Sequence, residues 1–158
     1  MLFTGHYEHT IDAKHRLAVP ADIRARWNPV TDGAAFFAVP WVGGVIRLYT
    51  EADFHQRAGA APLTLTPDED EAEMQATLFG LSRRIELDTA GRIRIPEDLL
   101  SLTGLSSDVV LVGAGDRLEI RDRAAWSASK SDRLHKLPEL MRRISERRSP
   151  FPPPPPAR

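Results

Sequence analysis

The stretch Asp12-Ala-Lys-His-Arg-Leu-Ala-Val-Pro-Ala-Asp-Ile23 recurs as Asp88-Thr-Ala-Gly-Arg-Ile-Arg-Ile-Pro-Glu-Asp-Leu99. Over these twelve aligned positions the pattern D-x-x-x-R is kept, a proline follows at the same distance, and an aspartate and an aliphatic residue come after it. Apolar alternation after each arginine predicts a short strand, and each proline predicts the start of a short helix. The chain therefore contains an internal duplication, which decides the architecture.

A second pair of similar segments, Ile46–Phe54 and Leu118–Trp126, extends the duplication. Alternation predicts a hairpin from a first strand ending at Ile11 and a second over 16–19. It also predicts two further strand pairs: 34–39 with 45–49, and 108–112 with 117–121. Four short strands cannot close a core alone. We therefore expect both halves to form one pseudo-twofold, mainly β domain with short helices, of the α+β class.

Helix signals lie between and after the two halves. Thr66 and Pro67 predict the N-cap and first turn of an acidic helix that ends at Gly80, and Gly104 predicts the C-cap of the second short helix. Apolar residues at helical spacing predict a basic helix over 137–148. The expected organisation is a first module at 1–60, an acidic linker helix at 61–81, a second module at 82–128, a basic C-terminal helix at 129–149 and a disordered polyproline tail at 150–158.

Composition excludes several classes of protein. The 158 residues include no cysteine, which excludes disulfides, thiolate metal sites and a cysteine nucleophile. No signal peptide or membrane-spanning run is visible, so a cytoplasmic protein with no membrane partner is expected. The formal net charge is only −1. It conceals a segment 51–76 with seven acids against one base and a segment 121–158 with ten bases against four acids. Such asymmetry indicates partners of opposite charge.

The segment from Phe3 to Pro20, together with the second motif from Asp88 to Pro96, resembles the MraZ family over about residues 1–136. The resemblance implies two tandem swapped-hairpin modules of the AbrB type that form a β-barrel. It also implies a sequence-specific DNA-binding transcriptional regulator, known in the family as a repressor of a cell-division and cell-wall gene cluster. Such a protein binds direct repeats in its own promoter as a homo-oligomeric, octamer-like ring, and is associated with the nucleoid.

The family motif indicates which residues contact double-stranded promoter DNA. Lys14, Arg16 and Arg92 carry it, and His15 lies beside them; Arg24, Arg26 and Arg94 rank second because no motif supports them. Lysine and arginine bind phosphates regardless of sequence. His15 stands where the family usually has glycine, as at Gly91, and if the turn needs a positive φ then glycine is the residue that adopts it most readily.

Several alternatives remain open. Asp12 and Asp88 either contact DNA or serve, like Gly91, to hold the turns by capping or ion pairing. An AbrB-type antitoxin or an oligomeric scaffold would use the same basic loops on a protein partner. Asp88-Thr-Ala-Gly91 also resembles an aspartic-protease signature, although Lys14 would place an ammonium at such a dyad. We expect no enzyme activity, cofactor, metal site or small-molecule substrate.

Overall fold

The computed structural model describes residues 1–60 and 64–148, in two compact units that divide between Ala124 and Ala125. The first unit holds eight strands among the described residues: β1 (His6–Thr10), β2 (Arg16–Ala18), β3 (Ala35–Trp41), β4 (Val45–Thr50), β5 (Arg83–Glu86), β6 (Arg92–Arg94), β7 (Asp108–Gly113) and β8 (Leu118–Asp122). Its helices are α1 (Ala21–Arg26), α2 (Pro29–Asp32), α3 (Glu51–Ala60), α4 (Glu69–Leu81) and α5 (Glu97–Thr103). The chain is thus of the α+β class, as predicted.

The strands are arranged with pseudo-twofold symmetry. Six antiparallel strands follow the order β1-β7-β8-β4-β3-β5, and β2 pairs with β6 in a separate two-stranded ribbon. Strands β1 to β4 of the first half correspond to β5 to β8 of the second. When each strand is replaced by its counterpart, the order becomes β5-β3-β4-β8-β7-β1, which is the original order reversed. A pseudo-twofold axis therefore passes between β4 and β8. The same rotation exchanges β2 with β6 and so maps the ribbon onto itself. The duplication predicted this arrangement.

The predicted hairpin between the first two strands is wrong. β1 pairs instead with β7 of the other half, from His6 opposite Val112 to Thr10 opposite Asp108, and β5 pairs with β3 in the same way. Each half thus gives its first strand to the other half, which is a swapped arrangement. Alternation of polar and apolar residues predicts that a segment is a strand, but it does not predict which strand the segment pairs with.

The expected β-barrel is not closed by strand ladders in the described residues. β1 and β5 are equivalent strands at opposite ends of the order, and each has one ladder neighbour. The ribbon β2–β6 follows both of them in the chain, joined to β5 by an isolated bridge between Leu87 and Ile93. In the described residues the six-stranded sheet is therefore open at its two edges.

One apolar core is shared by the two halves. Its largest fully buried side chains come from both repeats and from the ribbon: Phe3, Leu17, Ile23, Phe36, Ile46, Leu48, Ile93, Ile95, Leu99, Leu111, Leu118 and Ile120. Burial of each such side chain contributes roughly 1.5–3 kcal/mol. The ribbon supplies Leu17 and Ile93, which face each other in register and point inward. The core thereby fixes which face of the ribbon points outward.

Helix ends follow local chemistry, with two corrections to the prediction for α4. Gly104 has φ 65° and caps α5, as predicted. The N-cap of α4 is Asp68, not Thr66, because the Asp68 carboxylate accepts a hydrogen bond from the Glu71 amide at 2.9 Å. Gly80 does not end this helix, which continues to Leu81. Aspartate and threonine are both good caps, and the sequence alone did not distinguish them.

The second unit contains most of α6 (Arg123–Arg148). The predicted helix over 137–148 lies within this longer one, and Pro138 interrupts its hydrogen bonding because proline has no N–H. The Arg133 guanidinium lies 4.9 Å from the centre of the Trp126 ring. The predicted tail at 150–158 and the first residues of the predicted linker, 61–63, lie outside the described residues. No helix in the described ranges is long and apolar enough to cross a membrane.

Candidate nucleic-acid interface

The first D-x-x-x-R segment is a tight turn held by its aspartate. Asp12 Oδ1 accepts hydrogen bonds from the amides of Lys14 and Arg16, both at 2.9 Å, and Oδ2 accepts from Arg16 Nε at 2.7 Å. In the backbone, the Asp12 amide donates to the Arg16 carbonyl at 3.0 Å, and the His15 amide donates to the Asp12 carbonyl at 2.9 Å. One carboxylate thus fixes both the turn and the direction of the arginine side chain.

The second turn repeats this geometry bond for bond. Asp88 accepts from the amides of Ala90 and Arg92 and from Arg92 Nε, each at 2.9 Å. The Asp88 amide donates to the Arg92 carbonyl at 2.8 Å, and the Gly91 amide donates to the Asp88 carbonyl at 2.9 Å. The constant part of the motif, Asp and Arg four residues apart, is therefore the pair that closes each turn.

These hydrogen bonds favour ionised carboxylates. The amide of Arg16 is the main cause that lowers the pKa of Asp12 below its ordinary value, with the Arg16 guanidinium and the Lys14 amide adding to it. The Arg92 amide lowers the pKa of Asp88 in the same way. Donors aimed at a carboxylate stabilise its charged form. Each turn therefore holds an Asp–Arg ion pair at neutral pH.

The ribbon joins the two turns and presents arginine side chains outward. Arg16 lies opposite Arg94 and Ala18 lies opposite Arg92, with the buried pair Leu17 and Ile93 between them. Because side chains alternate along a strand, the three arginines share the outer face. Arg94 is exposed, and about a third of each of the Arg16 and Arg92 side chains is accessible. Like charges directly opposite each other destabilise a ladder. A bound polyanion would offset this repulsion, so the face is suited to bind one.

Two further hydrogen bonds lock the turns onto the ribbon. The Val19 amide donates to the Gly91 carbonyl at 3.0 Å, and the Ile95 amide donates to the His15 carbonyl at 2.8 Å. These bonds are equivalent under the pseudo-twofold. Each turn is thus tied to the strand that leaves the other turn, and the two motifs form one continuous surface.

The tip residue of each turn has a positive φ. Gly91 has φ 74°, and His15 has φ 59°, which makes His15 the non-glycine residue with a positive φ in the described ranges. Histidine adopts this left-handed conformation more readily than β-branched residues, although at a cost that glycine avoids. The first turn therefore keeps the backbone of the second turn and adds an imidazole.

Arg24 is brought to this surface without a sequence motif to mark it. Its Nε donates to the Val19 carbonyl at 3.0 Å, and its guanidinium lies against the buried Gly91. A Cβ at Gly91 would come within 2.5 Å of Arg24 Cδ. Arg26, also a second-rank candidate, bonds instead to Asp22 and to the Leu2 carbonyl. The useful signal was the helix position one turn after Pro20, which directs Arg24 back toward the ribbon.

The described residues of this surface hold neither an aspartic dyad nor a metal-binding cluster. Asp12 and Asp88 each bond to their own turn, and no hydrogen bond joins the two carboxylates in the part of the chain that the structure describes. An aspartic dyad requires two carboxylates that share a proton. Within the same residues, no group of three or more histidine, aspartate or glutamate side chains is placed to hold a metal ion.

Fold and site together define a duplicated swapped-hairpin protein in which two aspartate-held turns flank a basic ribbon. A family model described as "MraZ protein, putative antitoxin-like" matches residues 78–139. The transcriptional regulator MraZ of Heliobacterium modesticaldum is 34% identical over 129 residues, covering 80% of this chain and 85% of that protein. That of Phenylobacterium zucineum is 32% identical, covering 82% and 81%. That of Mesoplasma florum is 29% identical, covering 91% and 96%. The chain belongs to the MraZ family.

Proposed function

We propose that the protein is a sequence-specific DNA-binding transcriptional regulator that acts as a repressor, and that the ribbon β2–β6 is its DNA-contacting element. The observation that carries this proposal is the outward arginine face of the ribbon, with Arg16 and Arg94 directly opposite each other. The relatives named above are transcriptional regulators. The major groove of DNA admits a two-stranded ribbon, and arginine is suited to both phosphates and guanine edges.

The ion pairs with Asp12 and Asp88 support this role for Arg16 and Arg92. A guanidinium has five N–H donors; Asp12 binds that of Arg16 at Nε, and Asp88 binds that of Arg92 along the edge formed by Nε and Nη2. Donors at the far end of the group are left to meet DNA in a fixed direction. Side chains that are already ordered lose less conformational entropy on binding. Lys14, exposed at the first turn, and His15 beside it complete the proposed contact set.

The finer proposal concerns the assembly and its target. One protomer offers few phosphate contacts, so copies joined in a homo-oligomeric, octamer-like ring would bind several sites with raised effective concentration. Direct repeats spaced by about one helical turn would present successive sites on the same side of the duplex. We place these repeats in the protein's own promoter, upstream of a cell-division and cell-wall gene cluster. The protein would then be cytoplasmic and associated with the nucleoid.

Footprinting on DNA upstream of the gene, with the oligomer measured in parallel by light scattering, tests the proposal. We expect periodic protection of repeated sequences and an affinity that falls steeply with salt, because phosphate contacts release counterions. Absence of binding at low salt would refute it. That outcome would favour the antitoxin or scaffold alternative, in which the same basic surface binds a protein.

A further inference from the structure

The two turns have the same backbone but unequal side chains. With the repeats aligned, Lys14 corresponds to Ala90, His15 to Gly91, Ala18 to Arg94, and Arg24 to Leu100. All these positions lie in or beside the ribbon and its turns. The Asp and Arg residues that close the turns are identical in both halves. The inequality therefore lies in side chains other than those of the Asp–Arg pairs that close the turns.

At the first turn, the added charges lie on an exposed side chain or come from the opposite strand. Lys14 is exposed, and Arg94 lies across from Arg16. Behind the tip, His15 lines one cavity together with Glu97 and Leu100. This end of the ribbon thus presents a lysine, two arginines and an imidazole, with an apolar and an acidic neighbour behind them.

At the second turn, the added charge is fixed. Ala90 stands at the position of Lys14 in the first turn. The residue opposite Arg92 is Ala18, whereas the residue opposite Arg16 is a second arginine, Arg94. Arg24 covers Gly91 and is anchored to the Val19 carbonyl at 3.0 Å. A side chain as large as imidazole at the tip would displace Arg24. Glycine at position 91 and arginine at position 24 therefore form one matched arrangement.

We propose that this inequality gives each protomer a single direction on DNA, with Arg24 and His15 as the residues that distinguish its two ends. The inference rests on the proposed function, since it concerns the same ribbon. A perfectly twofold ribbon would dock equally well after a half-turn, because the two DNA backbones are related by the same symmetry. Lysine is a hydrated point charge and arginine a planar fork, so the two ends prefer different base edges and phosphate positions.

The absence of cysteine from the chain permits a direct test. Ala13 and Thr89 are aligned, exposed residues at the start of the two turns. Single variants Ala13→Cys and Thr89→Cys, each conjugated to iron–EDTA, will cleave the bound promoter DNA close to the labelled turn. We expect two cleavage patterns displaced from each other in a constant direction on every protected site, with at least a tenfold preference for one direction.

The possible outcomes separate the two proposals. If both labels cut at the same positions with equal intensity, the protomer has no direction and this inference is wrong, while DNA binding through the ribbon stands. If neither label produces specific cleavage, the proposed function fails and the inference fails with it. Unlabelled protection by each variant checks that the cysteine and its conjugate leave binding intact.

A symmetrising variant tests the named residues. His15→Gly combined with Leu100→Arg gives the first turn the tip and the covering arginine of the second. Lys14 and Arg94 still differ from their counterparts Ala90 and Ala18, so we expect the directional preference to fall and not to vanish. Arg24→Leu alone removes the arginine that covers the second turn, and it should also reduce the directional preference. Should Arg24→Leu fail to fold, the double variant decides, because Leu100 is only partly buried. Retention of a wild-type directional pattern by the folded double variant would overturn the assignment to these residues.

Discussion

Arg24 occupies the space that a side chain at Gly91 would need, with Arg24 Cδ 2.5 Å and Nη1 2.6 Å from the position of a Cβ there. The same arginine donates to the Val19 carbonyl, and the Val19 amide donates to the Gly91 carbonyl. Helix α1, the ribbon and the second turn therefore meet at one glycine. A change at this residue should affect both stability and the direction of a DNA-facing arginine.

Gly91→Ala should destabilise the protein by about 1–2 kcal/mol, because φ 74° is a left-handed conformation that alanine adopts at that cost. Arg24 can move aside but then loses its bond to Val19. Chemical denaturation measures the change. Gly104→Ala is the matched control. Gly104 also has a positive φ, 65°, but no atom lies within 4 Å of the position that a Cβ would take there. Equal denaturation midpoints for Gly91→Ala and wild type would contradict the strain.

His15→Gly should stabilise the protein slightly or leave its free energy of unfolding nearly unchanged, in contrast to Gly91→Ala. It removes the positive-φ cost at 59°, and the greater freedom of glycine in the unfolded chain offsets part of the gain. We expect a change within about 1 kcal/mol, measured by the same denaturation. A loss of several kcal/mol would show that the imidazole, not the backbone, holds the first turn.

Acid should destabilise the two turns. Because the folded-state pKa values of Asp12 and Asp88 lie below the ordinary 3.8, their contribution is fully present above that pH and is lost as the pH falls through the lowered values. Asp12→Asn with Asp88→Asn should lower the melting temperature at pH 7 and flatten its fall below pH 4. Parallel melting curves for variant and wild type between pH 5 and pH 2.5 would contradict the argument.

Arg16→Ala should weaken binding to promoter DNA while leaving the assembly intact. The slope of log affinity against log salt should fall by about 1 for each lost phosphate contact. Gel shifts at several salt concentrations measure this, and sizing checks the oligomer. Arg57→Ala on α3 removes the same charge from a half-exposed, ion-paired arginine away from the ribbon. Equal losses for both variants would show a general charge effect.

Glu119→Gln should cost about 3 kcal/mol, because it removes a buried carboxylate that three arginines share. Glu119 is 4% exposed, and its carboxylate pairs with Arg117, Arg121 and Arg47 at 2.5–3.4 Å. Burial alone would raise its pKa, but Arg121 and Arg117 outweigh burial and lower it. Glu139→Gln, in an exposed pair with Arg143, should change stability by less than about 1 kcal/mol.

The repeat made much of this fold predictable. Two aligned motifs predicted the two turns and the pseudo-twofold correctly, because a duplication constrains both halves at once. The ribbon that pairs β2 with β6 was not predicted, since the sequence suggested two separate hairpins. The partner of β1 was not predictable, since alternation in 6–10 suits any apolar neighbour and the true one, β7, lies in the other half. Arg24 was ranked second for a similar reason: its place over Gly91 depends on how α1 packs, and its repeat equivalent is a leucine. The module boundaries remain predictions.

The exchange of first strands also determines when the protein can fold during synthesis. His6 pairs with Val112, so β1 has no ladder until almost all of the first unit has left the ribosome. The first half alone would expose both the unpaired edge of β3 and the apolar face of β2, because β5 and β6 are encoded later. Neither copy of the repeat is an autonomous folding unit, and a truncated or stalled chain would present open strand edges to aggregation or to chaperones.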